Sequence, residues 1–229
     1  MIRDINIDES HKGRLIHLGC GPLCKKTYWE DYDGSWNAWI NKFPKSLRVA
    51  LRYIFKHAWI FPDHVRHLNL NLNLRFKDES CDAIYASHVW EHLYFSSAVH
   101  ATRECFRILK PDGVLRVVVP DLRFYCEEYL ASDRMDAALQ FNRHCQFRDE
   151  GPERTFWRRV YNFLTDFHTH KFMYDGRQLT LLLQEAGFIE IKEMSCCESR
   201  VETICQVESE GRVGHGVGIA VEGIKPAIR

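Results

Sequence analysis

The run Val114-Leu115-Arg116-Val117-Val118-Val119 constrains the fold more than any other segment: it is the most β-prone stretch of the chain and reads as a strand buried on both faces. Such strands belong to sheets covered by helices, and the flanking sequence supplies both parts. Arg14 to Leu18 is a short apolar strand that must turn at Gly19-Cys20-Gly21-Pro22. His64 to Leu70 and Asp82 to Ser87 read as further strands. Ala98, Val99, Ala101, Thr102, Cys105, Phe106 and Leu109 recur at helical spacing, with Ser96 or Ser97 as the cap and Lys110-Pro111-Asp112-Gly113 as a stop that reverses the chain. Asp175 caps another helix through Leu179, Leu182, Leu183 and Ala186, and Gly187 ends it. Phe188 to Met194 and Gly216 to Gly223 are the last two strands. Strands alternating with helices imply a mostly parallel sheet with right-handed crossovers.

Open sheets of this kind take their ligands beyond the carboxyl ends of the strands, where strand order reverses. That rule selects Gly19-Cys20-Gly21, Asp33, Leu68 to Asn71, Ser87 to His92 and Pro120-Asp121. Paired glycines let a ligand come close to backbone amides. The dinucleotide pattern GxGxxG fails, because its third position is Cys24. Asp33, twelve residues after Gly21, is placed to accept hydrogen bonds from two neighbouring ribose hydroxyls.

Composition narrows the function classes. The 229 residues suit one domain, 1–229. Thirty-one basic residues balance 31 acidic ones, so nucleic acid is not an expected partner. No apolar run approaches the ~20 residues that span a bilayer, and Met1 to Gly13 lacks the apolar stretch of a signal peptide. Nine cysteines, an odd number, read as reduced thiols of a cytoplasmic protein. Neither Cys20 with Cys24 nor Cys196 with Cys197 has the CxxC spacing of a structural zinc site, and no metal is expected.

One stretch departs from the average. Between Asp33 and Asp63 there is no acidic residue, while Lys42, Lys45, Arg48, Arg52 and Lys56 alternate with Trp36, Trp39, Phe43, Tyr53, Phe55 and Trp59. Leu47, Leu51, Ile54 and Phe55 fall at helical spacing, so the insertion at 34–62 reads as an amphipathic helix packed on the sheet with solvated charges. The sharper reading is a lid, or a face at 36–59 that meets an anionic or lipid-linked substrate at a membrane surface. A second segment, Arg154 to Tyr174, carries Phe156, Trp157, Tyr161, Phe163, Phe167 and Phe172, which suit either sugar stacking or core packing.

Three further segments carry a family resemblance. Leu74 to Leu93, containing Ser87-His88-Val89-Trp90-Glu91-His92-Leu93, resembles the fourth-strand region of class I S-adenosylmethionine-dependent methyltransferases. Arg103 to Gly113 is similar to the segment that precedes their fifth strand. His170-Lys171-Phe172-Met173-Tyr174-Asp175 followed by Leu179 to Phe188 is similar to a small type-11-like group of predicted methyltransferases. The resemblance runs from about Ile16 to Met194. It implies a Rossmann-like α/β fold, doubly wound, with a seven-stranded mostly parallel sheet and an antiparallel strand near the C-terminus. It implies S-adenosyl-L-methionine as cofactor, held by Gly19, Gly21, Asp33, Asn69, Leu70, Ser87 and His88. The family's pattern is departed from at His17, where an acidic residue or asparagine often stands, and at Asn69, where aspartate is common. The gap from Gly21 to Asp33 is also too short for a full crossover helix.

The expected reaction is methyl transfer to a small-molecule or glycan-type acceptor. Groups placed to take a proton are His92, Asp121 and His170, with His88 and His168 also near by position. Two other classes fit the same sheet: a non-catalytic cofactor-binding partner subunit, and a nicotinamide-dependent oxidoreductase, which the missing third glycine disfavours.

Overall fold

A computed structural model of the chain describes residues 13–54, 60–147, 169–214 and 218–227. Its β-rich run is the centre of a seven-stranded sheet, in the order β3-β2-β1-β4-β5-β7-β6. The strands are β1 (Leu15–Leu18), β2 (Glu30–Asp33), β3 (Arg66–His67), β4 (Cys81–Ser87), β5 (Leu109–Pro120), β6 (Ile189–Met194) and β7 (Gly218–Ile224). The first five pair in parallel, whereas β7 runs antiparallel to both β5 and β6. The doubly wound sheet expected from the family resemblance is therefore present, antiparallel strand included.

Side chains alternate across β5 with the period of two that a strand imposes. Leu115, Val117 and Val119 enter the larger core with helices α3 (Phe95–Ile108) and Gly176–Ala186. Val114 and Val118 enter a smaller core with Trp29, Tyr85 and Ile204 on the other face. Between them Arg116, fully buried, also points to that second face, which is covered by the irregular chain around Ser195 to Val213. Irregular chain presents carbonyl groups that no helix satisfies. Arg116 donates to the Ser195 and Glu198 carbonyls, each at 2.8 Å, and pairs with both Glu208 carboxylate oxygens at 2.8 and 2.7 Å.

Three local expectations need correction. The strand at 64–70 is only two residues long, because after Leu68 N bonds the Asp33 carbonyl the Asn69 side chain accepts from Asn71 N at 2.9 Å and turns the chain away. Helix α3 begins at Phe95 with no side-chain cap, and Ser96 and Ser97 lie inside its first turn. Lys110 to Gly113 does not reverse the chain: α3 passes directly into β5, and the extra residues form an irregularity opposite Cys81 to Ala83, with Asp112 at φ 62°. The Asp175 cap and the left-handed Gly187 end of the Gly176–Ala186 helix stand as expected, with Asp175 accepting from Gln178 N at 2.7 Å.

The insertion after β2 forms α1 (Trp36–Trp39), capped by Ser35, and α2 (Lys45–Ile54). Leu47 and Val49 of α2 are 43% and 66% exposed, so those positions are not packed on the sheet. Arg48 is not one of the solvated charges expected there. Its guanidinium donates to the Phe43 carbonyl at 2.7 Å and pairs with Asp63 at 2.5 Å. The side chain of Arg52, Lys56, and the aromatic residues of 154–168, with His168, lie outside the described residues. Among the described residues, no helix is long and apolar enough to cross a membrane.

Candidate active site

Strand order reverses between β1 and β4, with β2 and β3 on one side and β5 on the other. At the carboxyl ends of those two strands opens a cavity of about 770 Å³. Gly19, Gly21, Asp33, Asn69, Leu70, Ser87 and His88 all line it, together with Leu18, Tyr32, His92, Tyr94, Lys171 and Arg212. Gly19 and His88, 69 positions apart in the chain, thus meet at one cavity because β1 and β4 are neighbours.

Gly19 and Gly21 both take φ +70°, the left-handed conformation that favours glycine. A Cβ on Gly19 would lie 2.0 Å from Val89 Cγ2, so β4's following loop seals that side of the bend. A Cβ on Gly21 would meet only Arg212 Nη2, at 3.8 Å, and would project into free space. That open cradle fits the donor molecule of the family resemblance. Asp33 stands at its edge, one oxygen accepting from Ser35 N at 2.8 Å and the other from Gly21 N at 3.3 Å.

The opposite wall follows β4. His88 leaves the strand at φ 54°, uncommon for a residue with a side chain and held by a bond from its amide to the Val118 carbonyl at 2.9 Å. Its Nε2–H donates to the Arg212 carbonyl at 3.3 Å, and Arg212 Nη1 donates to Ser87 Oγ at 3.1 Å. His88 Nδ1 lies 3.2 Å from Glu91 Oε1. Glu91 is fully buried, and neither carboxylate oxygen makes a hydrogen bond. Its main-chain carbonyl accepts from Lys171 N at 2.7 Å and so draws the His170–Lys171 segment to the site.

His92 Nδ1–H donates to the Thr169 carbonyl at 3.3 Å, which leaves the ring's lone pair on Nε2 in the neutral form. Its ring packs edge-on against His170, 4.9 Å between centroids. His170 is buried behind His92, and desolvation pushes its pKa down to about 4, against the upward pull of Glu91. Asp121 lies apart. Its carboxylate accepts from Arg123 N at 3.0 Å to cap α4 (Leu122–Leu130), and it lines a different cavity with Asp175 and Arg177. Sequence reasoning missed Arg212 and Lys171 as cavity residues, and Arg212 carries no local signal: only the folding of the Ser195–Val213 chain over the sheet brings it beside Ser87.

Residues 17–117 match the family described as methyltransferase domain. That segment, which carries β1 to β4 with the glycine bend, Asp33, Asn69, Leu70, Ser87 and His88, is thus a methyltransferase domain of the S-adenosylmethionine-dependent kind. Its cofactor is S-adenosyl-L-methionine. No curated protein matches the chain. Solved structures that are similar include a SAM-dependent methyltransferase from Thermotoga maritima, 19% identical, covering 93% of this chain and 83% of that one with a TM-score of 0.46. An O-methyltransferase family protein from Burkholderia thailandensis is 13% identical, covering 95% of this chain and 52% of that one with a TM-score of 0.46. PigF, solved with SAH, is 11% identical, covering 96% of this chain and 58% of that one with a TM-score of 0.45.

Proposed function

We propose that this methyltransferase acts on a small-molecule or glycan-type acceptor and that His92 takes the acceptor's proton. The observation that carries this reading is that one cavity of about 770 Å³ is lined both by the glycine bend and Asp33 and by His92, Tyr94 and Lys171. A volume of that order suits small ligands rather than a protein surface. The bound sulfonium supplies an already electrophilic methyl group. What the chain adds is binding, orientation and a proton path.

In this reading the Gly21 cradle and Asp33 hold the adenosyl donor, and Asn69 and Leu70 flank its base. Arg212, between Gly21 and Ser87, pairs with the donor's carboxylate. His92 Nε2 receives a proton from an acceptor hydroxyl or amine, and buried Glu91 stabilises the charge that then develops on the imidazoles around it. His170 fixes the His92 ring by contact, whereas Asp121 serves its helix. The nine unbridged thiols support a reducing, cytoplasmic setting.

Calorimetry with S-adenosylhomocysteine and with NADH tests the donor site: only the first should give heat. Asp33→Ala should weaken S-adenosylhomocysteine binding by about 1–3 kcal/mol, since a carboxylate accepting hydroxyl hydrogen bonds is worth that much. With an acceptor in hand, His92→Gln should lower kcat by about 10²–10⁴-fold while leaving donor affinity intact. An unchanged rate would remove His92 from the proton path.

A further inference from the structure

The structure assigns a tetrahedral zinc site to Cys20, Cys24, Asp31 and His64, pinning the glycine bend to β2 and to the turn before β3. Cys20, Cys24 and Asp31 each present a ligand atom, all within 4.8 Å of one another. His64 lies against two members of that set, its Nε2 3.7 Å from Cys24 Sγ and 3.3 Å from Asp31 Oδ2, and would be the fourth ligand. With Zn–S of ~2.3 Å and Zn–N or Zn–O of ~2.0 Å, tetrahedral edges are about 3.6 Å from sulfur to nitrogen and about 3.3 Å from nitrogen to oxygen. Both separations agree with the structure.

An independent observation points into the same space. Asp31 is 3% exposed, and its Oδ2 makes no hydrogen bond, though His64 Nε2 faces it at 3.3 Å. A buried carboxylate oxygen left so costs several kcal/mol unless a cation faces it. Asp31's other oxygen accepts from His17 Nδ1–H at 2.9 Å, the kind of second contact that orients a metal-binding carboxylate. His17 stands where the family often has an acidic residue, and here it serves Asp31.

The need for a staple follows from topology. No helix connects β1 to β2, and the loop from Gly19 to Trp29 must hold the cradle without one. The core beneath it is small, with Cys20, Ala38, Phe61 and Val65 buried and Cys24 packed at its edge. A metal bound there would join loop, strand and insertion at one point. Binding would release the two thiol protons, leaving two thiolates, one carboxylate and a neutral imidazole on the dication, a net charge of −1. The four ligands close the coordination sphere, so the role is structural and leaves no open position for catalysis.

Elemental analysis of the purified chain should find about one zinc per molecule. Chelator-stripped, reduced protein should take up cobalt(II) with the visible bands of a tetrahedral site and a thiolate charge-transfer band. Cys24→Ser and His64→Ala should each weaken cobalt uptake by more than about 100-fold, while Cys205→Ser leaves it unchanged. Substoichiometric metal with no thiolate band, retention of full affinity in both ligand variants, or a Cys20–Cys24 disulfide as the native state by mass spectrometry would overturn the site. A metal lost from Cys24→Ser with S-adenosylhomocysteine affinity unaltered would overturn its positioning of the bend. Zinc-loaded wild type that binds no S-adenosylhomocysteine would instead count against the donor reading and leave the metal site standing.

Discussion

Gly19 and Gly21 share one backbone conformation, yet filling them has different consequences. At both, an alanine must adopt the left-handed region, a cost of about 1–2 kcal/mol. At Gly21 that is the whole penalty, because the new methyl group meets nothing nearer than 3.8 Å. At Gly19 the methyl would collide with Val89, and overpacking adds roughly 1–3 kcal/mol. Urea unfolding should therefore show Gly19→Ala clearly less stable than Gly21→Ala, and calorimetry should show both variants impaired in donor binding, since the Gly21 methyl occupies the cradle itself. His170 gives a pH dependence of defined sign. Its folded pKa of about 4 lies below the ordinary 6.5, so the unfolded chain binds the proton first as pH falls and stability declines between about 6.5 and 4. From pH 7 to pH 5 the wild type should lose about 2 kcal/mol more than His170→Gln in unfolding experiments.

At the scale of elements, the Gly176–Ala186 helix shows how much a few residues dictate locally. Asp175 satisfies the Gln178 amide at the start, and Gly187 takes φ 104° at the end. Both were legible because caps act within a turn of the helix. Asp175→Ala should cost about 1 kcal/mol, measured by chemical denaturation, without altering donor affinity. Elements whose limits depend on distant partners were not legible. β3 shrinks to Arg66–His67 because Asn69 bonds its own downstream backbone, and that departure is what places Asn69 and Leu70 at the cavity. The role of Arg48 was hidden for a similar reason: the helical pattern predicts a solvated charge, but Asp63, fifteen residues on, decides what Arg48 does.

For the molecule as a whole, Arg116 is the residue on which the second face of the sheet depends. It satisfies two carbonyls and Glu208, with Glu222 at 3.5 Å, inside a core that has no long helix over it among the described residues. Replacing one member of a buried ionic group strands the others. Arg116→Met should destabilise the fold by about 3–5 kcal/mol by thermal or urea unfolding. It should also loosen Arg212 at the cavity wall, raising the S-adenosylhomocysteine dissociation constant. The amino-acid order alone determined the alternation of strands and helices, the turn at Gly19–Gly21 and the strand-end positions of Asp33, Ser87 and His88, because periodicity and turn chemistry are properties of short windows. Their convergence on one cavity, the isolation of Asp121, the arrival of Arg212 and the meeting of Cys20, Cys24, Asp31 and His64 were decided only by the tertiary structure. Those contacts join residues far apart in the chain, and their distances follow from sheet order and packing, which no local pattern encodes.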